Sequence, residues 1–327
     1  MFVGHGLLAF ALVAGLARLR GWRPDRALSV GLLAGAFATL PDVDMVYAPV
    51  GLLLAADPGG PLATAQAFWA TGNLVHRAVT HSLVVAPLVA LGARAVADGD
   101  RRRRTAGGGF LLALPVVALV VSGPLGSAVT TVFVAGAALL AFVGRRYGLG
   151  PAAVGAAALA GLLTHPFGDL FTGEAPAMLY PLSTASTVER VVLHPDPTLH
   201  LLGALGIELA TAWLALFVYL AVGHGVAGRY GTDQPPGITG ALRRVVAGRA
   251  GLGAGFAATA FLLPAPTLDV SYHFVFPLLG LGLVVALPTP RAIRGPSARP
   301  VRAAATGLAA VTVATLAYAA VYATVGW

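Results

Sequence analysis

The sequence predicts an all-α fold: a polytopic helical membrane protein of about ten transmembrane helices with its N-terminus outside. Three observations carry this. Of 327 residues, 57% are apolar and only 10% are charged, against about 25% charged in a soluble domain. The mean hydropathy is +0.82. Apolar runs near the length of a membrane span, about 17–25 residues, recur along the chain between short Arg clusters. A soluble enzyme, a nucleic-acid reader and a disordered chain are excluded by this composition. The 42 glycines fit the close packing of membrane helices.

The first run, Val3 to Leu19, is followed rather than preceded by Arg18, Arg20, Arg23 and Arg26. A signal peptide has the reverse order, so a retained helix is expected. Further runs cover 27–40, 79–97, 108–123, 125–143, 151–171, 199–222, 250–267, 273–289 and 303–325. The short run at 27–40 implies a start near Pro24 or a tilt. Met45–Ala56 is too short to cross and reads as re-entrant or interfacial. With ten spans, 19 of the 21 basic residues, all Arg, lie on the inner side. An eleventh crossing at Met45–Ala56 would move every later loop and break the positive-inside rule. The +8 charge and pI near 10.6 are thus a topology signal, and no nucleic-acid partner is expected. The polar segment 223–249 reads as a cytoplasmic linker between residues 1–222 and a three-helix extension at 250–327.

The chain has no Cys. Disulfides, Cys-ligated zinc and thiol nucleophiles are excluded, so His and carboxylates must hold any metal. Seven of the eight His fall on the predicted outer side: His5, His76, His81, His165, His194, His200 and His273. Asp42, Asp44 and Asp169 join them. In Leu40-Pro41-Asp42-Val43-Asp44, Pro41 disfavours helix at Leu40. If the stretch beyond is extended, both carboxylates project to one side; the alternative is that Asp42 caps the next short helix. In His76-Arg77-Ala78-Val79-Thr80-His81-Ser82, the two His diverge by about 140° on a continuous helix. Either a helix starts between them with Thr80 as N-cap, or they serve two metals. Arg77, one of two Arg on the outer side with Arg190, suits a phosphate or carboxylate. His165 and Asp169 share a helix face at i, i+4 and end an otherwise apolar helix, where ionisable groups are functional candidates. His and Asp together suit zinc or a similar divalent ion. Asp169 is either a ligand or a partner that orients His165. His194, His200, Asp269 and His273 read as interfacial, and Glu208 lies within the seventh span.

These segments together resemble the YdjM-like family of inner-membrane metal-dependent hydrolases. The matching pieces are His5 in Val3-Gly4-His5-Gly6, Leu40–Asp44, His76–Ser82, His165-x-x-x-Asp169-x-x-Thr172-Gly173 and Leu179-Tyr180-Pro181-Leu182-Ser183. Order and spacing agree over roughly residues 1–183. The family is distantly similar to zinc-dependent phospholipase C and the P1 nuclease, which implies phosphoester chemistry by analogy of fold. The resemblance implies a hydrolase-like membrane domain over residues 1–222. Its divalent metal, zinc by that similarity, would have His5, Asp42, His76, His81, His165 and Asp169 as ligands. Asp44 would be a further ligand or the base, and Arg77 would stabilise anionic charge in the transition state. The expected reaction is hydrolysis by a metal-activated water at the extracytoplasmic face of the inner membrane, on a phosphoester or phospholipid. Membrane lipids are the expected partners. The rival readings are a transporter or a non-catalytic metal-binding membrane protein.

Overall fold

A computed structural model describes residues 2–49, 53, 60, 63–64, 67–68, 71, 77–171, 175–186, 188–223, 246–287 and 299–325. Among these the secondary structure is helical, with no strand. Four helical stretches are long and apolar enough to cross a membrane: Pro24–Met45, Arg101–Arg146, Pro197–Val222 and Pro300–Val325. Shorter apolar helices cover Val3–Leu19, Val85–Val96 and Tyr272–Ala286. The chain is an all-α helical membrane protein. It divides into two compact units, Met1–Val191 and Val192–Trp327. Most of the segment 223–249 lies outside the described residues, as does half of Met45–Ala56.

The first unit contains α1 (Phe2–Leu19), α2 (Pro24–Thr39), α3 (Val85–Val96), α4 (Arg101–Arg146) and α5 (Pro151–Asp169). Small residues set their approach. A Cβ on Gly6 would meet the Thr39 side chain at 2.8 Å, and one on Gly31 would meet Ala14 at 2.6 Å. α1 and α2 therefore pack antiparallel. Gly161 of α5 lies against Ala34, Phe37 and Ala38 of α2, so those two helices run the same way. Gly155 of α5 lies against Arg94 of α3, which makes that pair antiparallel. The start of α1, the end of α2, the start of α3 and the end of α5 thus share one end of the unit.

α4 has 46 residues but is not one straight helix. Gly123 sits at φ 70°, ψ −169°, a backbone region open essentially to glycine alone. Pro124 then starts a new helical segment, where its missing N–H is no loss. A Cβ on Gly126 would lie 3.7 Å from the Ala118 carbonyl, eight residues earlier, so the chain turns sharply. Beyond the turn, Gly136 meets Leu40 near the end of α2, and Gly144 meets Leu33 and Val154 nearer the other end. The second half therefore runs back along the first, and the two expected runs, 108–123 and 125–143, are its two arms. Arg18, Arg94 and Arg145–Arg146 close α1, α3 and α4, and Arg101–Arg104 open α4, all at the end opposite His5, Asp42, His81, His165 and Asp169.

The span expected at 79–97 yields a short 3-10 turn over Val79–His81 and an α-helix only from Val85. Ser82, and not Thr80, is the capping side chain: its Oγ accepts from the N–H groups of Val84 and Val85 at 3.0 and 3.1 Å. It donates to the Tyr180 carbonyl at 2.5 Å.

The second unit contains α6 (Pro197–Gly223), α7 (Thr259–Leu262), α8 (Tyr272–Ala286) and α9 (Arg299–Val325). Its core packs Leu202, Phe256, Phe274, Leu278, Tyr318 and Tyr322. The span expected at 250–267 is instead a 3-10 helix, Gly248–Ala258, leading into α7. Three residues per turn put Ala250, Gly253 and Phe256, its buried residues, on one face. A Cβ on Gly253 would collide with the Ala310 carbonyl of α9. Arg249 donates to the Val285 carbonyl at 2.7 Å and so closes the end of α8.

Candidate metal centre

Pro41 determines where α2 stops. It has no N–H to continue the helical ladder, and the chain tightens into a 3-10 helix over Pro41–Met45. Asp42 and Asp44 stand on this turn. The carbonyl of Ala38, one of the last of α2, lies 2.6 Å from His165 Nδ1. A carbonyl can only accept, so Nδ1 carries the proton and Nε2 keeps its lone pair. A hydrogen bond that fixes the ring tautomer in this way is the usual support of a metal-binding imidazole.

The free nitrogen of His165 faces a cluster. His165 Nε2 is 2.9 Å from His81 Nε2 and 3.6 Å from Asp169 Oδ2, and His81 Nε2 is 3.1 Å from the same oxygen. These three edges define a point about 1.9 Å from each atom, close to the about 2.0–2.2 Å of zinc–nitrogen and zinc–oxygen bonds. Asp42 Oδ1 lies 3.5 Å from His165 Nε2 and 4.0 Å from His81 Nε2. His5 Nε2 lies 3.2 Å from Asp169 Oδ1. Two triads have the spacing to hold a metal ion: His81, His165 and Asp169, and His5, Asp42 and His165. His5, His81, His165 and Asp169 are each at most 5% exposed. Asp42 Oδ2 and Asp169 Oδ2 are buried without a hydrogen-bond partner. Buried carboxylate oxygens in that condition are costly, and a cation among them removes the cost. The donor set fits a divalent ion.

Asp44 is fully buried on the other side of His81. Its Oδ2 accepts from the Arg77 N–H at 3.0 Å and the Thr80 hydroxyl at 2.8 Å, and lies 3.3 Å from His81 Nδ1. This is the carboxylate–imidazole pairing that orients a metal ligand. Asp44→Asn is expected to weaken metal affinity about 10–100-fold, read by competition with a chromogenic chelator. An unchanged affinity would remove Asp44 from that role.

Arg77 has φ 64°, the one non-glycine residue in the left-handed region among the described residues. Its N–H is held by Asp44, and its carbonyl accepts from Ala177 N–H at 2.9 Å. Its Nε stands 3.7 Å from Asp169 Oδ2. Gly168 completes the packing, since a Cβ there would strike the His5 ring.

The structure thus brings together His5, Asp42, Asp44, Arg77, His81, His165 and Asp169. His76, Thr172 and Gly173 lie outside the described residues. His194, His200 and Asp196 belong to the second unit, where they order the start of α6: His200 Nδ1 accepts from Leu193 N–H and Asp196 Oδ1 from Leu199 N–H. His273 donates to the Pro264 carbonyl at 2.8 Å. Sequence reasoning missed the Ala38 carbonyl, the Thr80 hydroxyl and Gly168. Gly168, inside the His165–Asp169 motif, and Thr80, inside His76–Ser82, had a signal that could have been read.

Fold and site together define a polytopic helical membrane protein with a buried His/Asp donor cluster fitted to a metal ion. Residues 1–230 match the YdjM inner membrane protein family, and the chain belongs to that family. No curated protein and no solved structure matches it.

Proposed function

We propose that the chain is a membrane-embedded, metal-dependent hydrolase acting on a phosphoester or phospholipid at the extracytoplasmic face. The observation that carries this reading is the convergence of His81 Nε2, His165 Nε2 and Asp169 Oδ2 within 2.9–3.6 Å, in a buried site of a membrane protein. A divalent ion bound there, zinc being the one His and Asp donors suit first, supplies a water of pKa near about 7 and polarises the scissile group. His81, His165 and Asp169 hold it, with His5 and Asp42 completing the donor set. Asp44 and Thr80 keep the His81 ring in register. Arg77, whose side chain is 19% exposed, presents positive charge beside the cluster to an anionic substrate. Its strained backbone supports a functional role, because such strain persists only where the surroundings enforce it. The Arg residues at the opposite helix ends support the extracytoplasmic side through the positive-inside rule.

The test is a panel of soluble phosphodiesters and phospholipid vesicles, presented to the purified full-length protein with zinc. Cleavage of at least one substrate, lost on chelation and restored by zinc, is the expected result. A zinc-bound protein that cleaves none of them overturns the reading.

A further inference from the structure

We infer that the hydrocarbon of the bilayer reaches the level of the His and Asp cluster, so that the site takes a membrane phospholipid sideways from the leaflet at that end. The substrate class rests on the hydrolase reading above; the lipid-facing surface does not.

Exposed apolar side chains stand beside the segments that build the site. Val3, 70% exposed, lies two residues before His5. At 1.5 Å per residue it is about 3 Å farther out than His5, and it points about 200° away around α1. Phe167, 50% exposed, stands between His165 and Asp169 and points away from both by the same rotation. It continues the exposed face of α5, where Ala152, Ala156 and Leu159 lie within about 80° of it.

The strap after α5 adds to this surface. The Met178 and Tyr180 carbonyls accept from the Leu83 N–H and the Ser82 hydroxyl, which holds the strap against the segment bearing His81. Tyr180 is buried there, while Leu179 and Leu182 turn outward, Leu182 being 79% exposed. Ser122 donates to the Tyr180 hydroxyl at 3.2 Å. The turn in α4 therefore sits at this level too, with Val120 exposed beside it. Val120 belongs to a helix long and apolar enough to cross a membrane, so the belt is continuous with a spanning surface. Among the described residues, the exposed charges at this end are Glu189 and Arg190. They precede Val191, whose N–H donates to the Leu170 carbonyl just past α5. Exposed charge thus reappears only beyond the level of the cluster.

A contiguous apolar surface of this kind is covered by lipid in a membrane protein. The headgroup layer adds only about 5–8 Å to the hydrocarbon on each side. A phospholipid whose chains stay in the leaflet therefore carries its phosphate close to the depth of the cluster. Arg77, partly exposed beside Asp169, offers that phosphate a counter-charge. A water-soluble phosphoester has no anchor at that depth. Hydrolysis consumes only water: one P–O ester bond breaks, the hydroxyl goes to phosphorus and the proton to the departing alcohol.

The chain has no Cys, so Phe167→Cys, Leu182→Cys and Glu189→Cys each place a single reporter. Each full-length variant is labelled with a fluorophore and reconstituted into phosphatidylcholine–phosphatidylglycerol vesicles. Lipids brominated on their acyl chains are expected to quench the first two labels, and aqueous iodide the third. Iodide quenching of the first two as strong as that of the third overturns the lipid-facing surface. The zinc-loaded wild type is then given phosphatidylcholine, phosphatidylethanolamine and phosphatidylglycerol, as long-chain lipids in vesicles and as dissolved dibutanoyl analogues. Cleavage about tenfold faster or more for a long-chain lipid is expected. Equal rates overturn entry from the bilayer and leave the hydrolase reading standing. Cleavage of neither form overturns the hydrolase reading and the substrate class together, and the quenching pattern still decides the surface.

Discussion

His165→Ala is expected to lose metal binding and with it the proposed hydrolysis, and to leave the helices assembled. The substitution removes Nε2 from the midst of His81, Asp169 and Asp42, all within 4.0 Å of one another or of His165 itself. Losing a partner of a metal ligand costs about 10–100-fold in affinity, so losing the ligand exceeds that. The Ala38 carbonyl also loses its donor, at about 1–3 kcal/mol for a buried group. The helix contacts of α5 with α2 and α3 run through Gly161 and Gly155 and are untouched. Metal content per chain after gel filtration is the measurement, and content equal to wild type would refute the assignment.

Gly161→Ala is expected to act in the other order, loosening the fold first and the site as a consequence. The new Cβ would collide with the Ala34 carbonyl and sit 2.8 Å from both the Ala38 nitrogen and the Phe37 Cβ. Two of these atoms are backbone and cannot swing aside. α2 and α5 must separate, at about 1–3 kcal/mol. That movement draws the Ala38 carbonyl away from His165 Nδ1 and frees the ring to turn. A lower thermal midpoint in detergent together with weaker metal binding is the expected pair of results. A midpoint equal to wild type would show that the helices do not meet as closely as described.

Part of this site was legible from residue spacing, and part was not. His165 and Asp169 were readable because i, i+4 on a helix is a face regardless of tertiary context. The gathering at one end was readable because Arg placement fixes helix direction. The roles of Asp42 and Asp44 were not. Alternation puts them together only on an extended chain, and Pro41–Met45 is a 3-10 helix. At three residues per turn, positions two apart diverge by about 240°. Asp42 accordingly turns toward the Nε2 side of His81 and Asp44 toward its Nδ1 side. The Ala38 carbonyl leaves no mark in the sequence, since every residue has one. In the second unit, apolar length suggested a spanning α-helix at 250–267. The close approach of Gly253 to α9 accompanies a tighter 3-10 helix.

The donors come from the start of α1, the turn after α2, the segment before α3 and the end of α5, separated by up to 164 positions from His5 to Asp169. Each segment alone holds at most two of them. An ion with affinity only for the gathered arrangement is therefore coupled to assembly of the unit. At a free concentration one hundred times its dissociation constant, it adds about 2.7 kcal/mol to the folded state. With such an ion, metal supply would govern how much of the protein persists in the membrane.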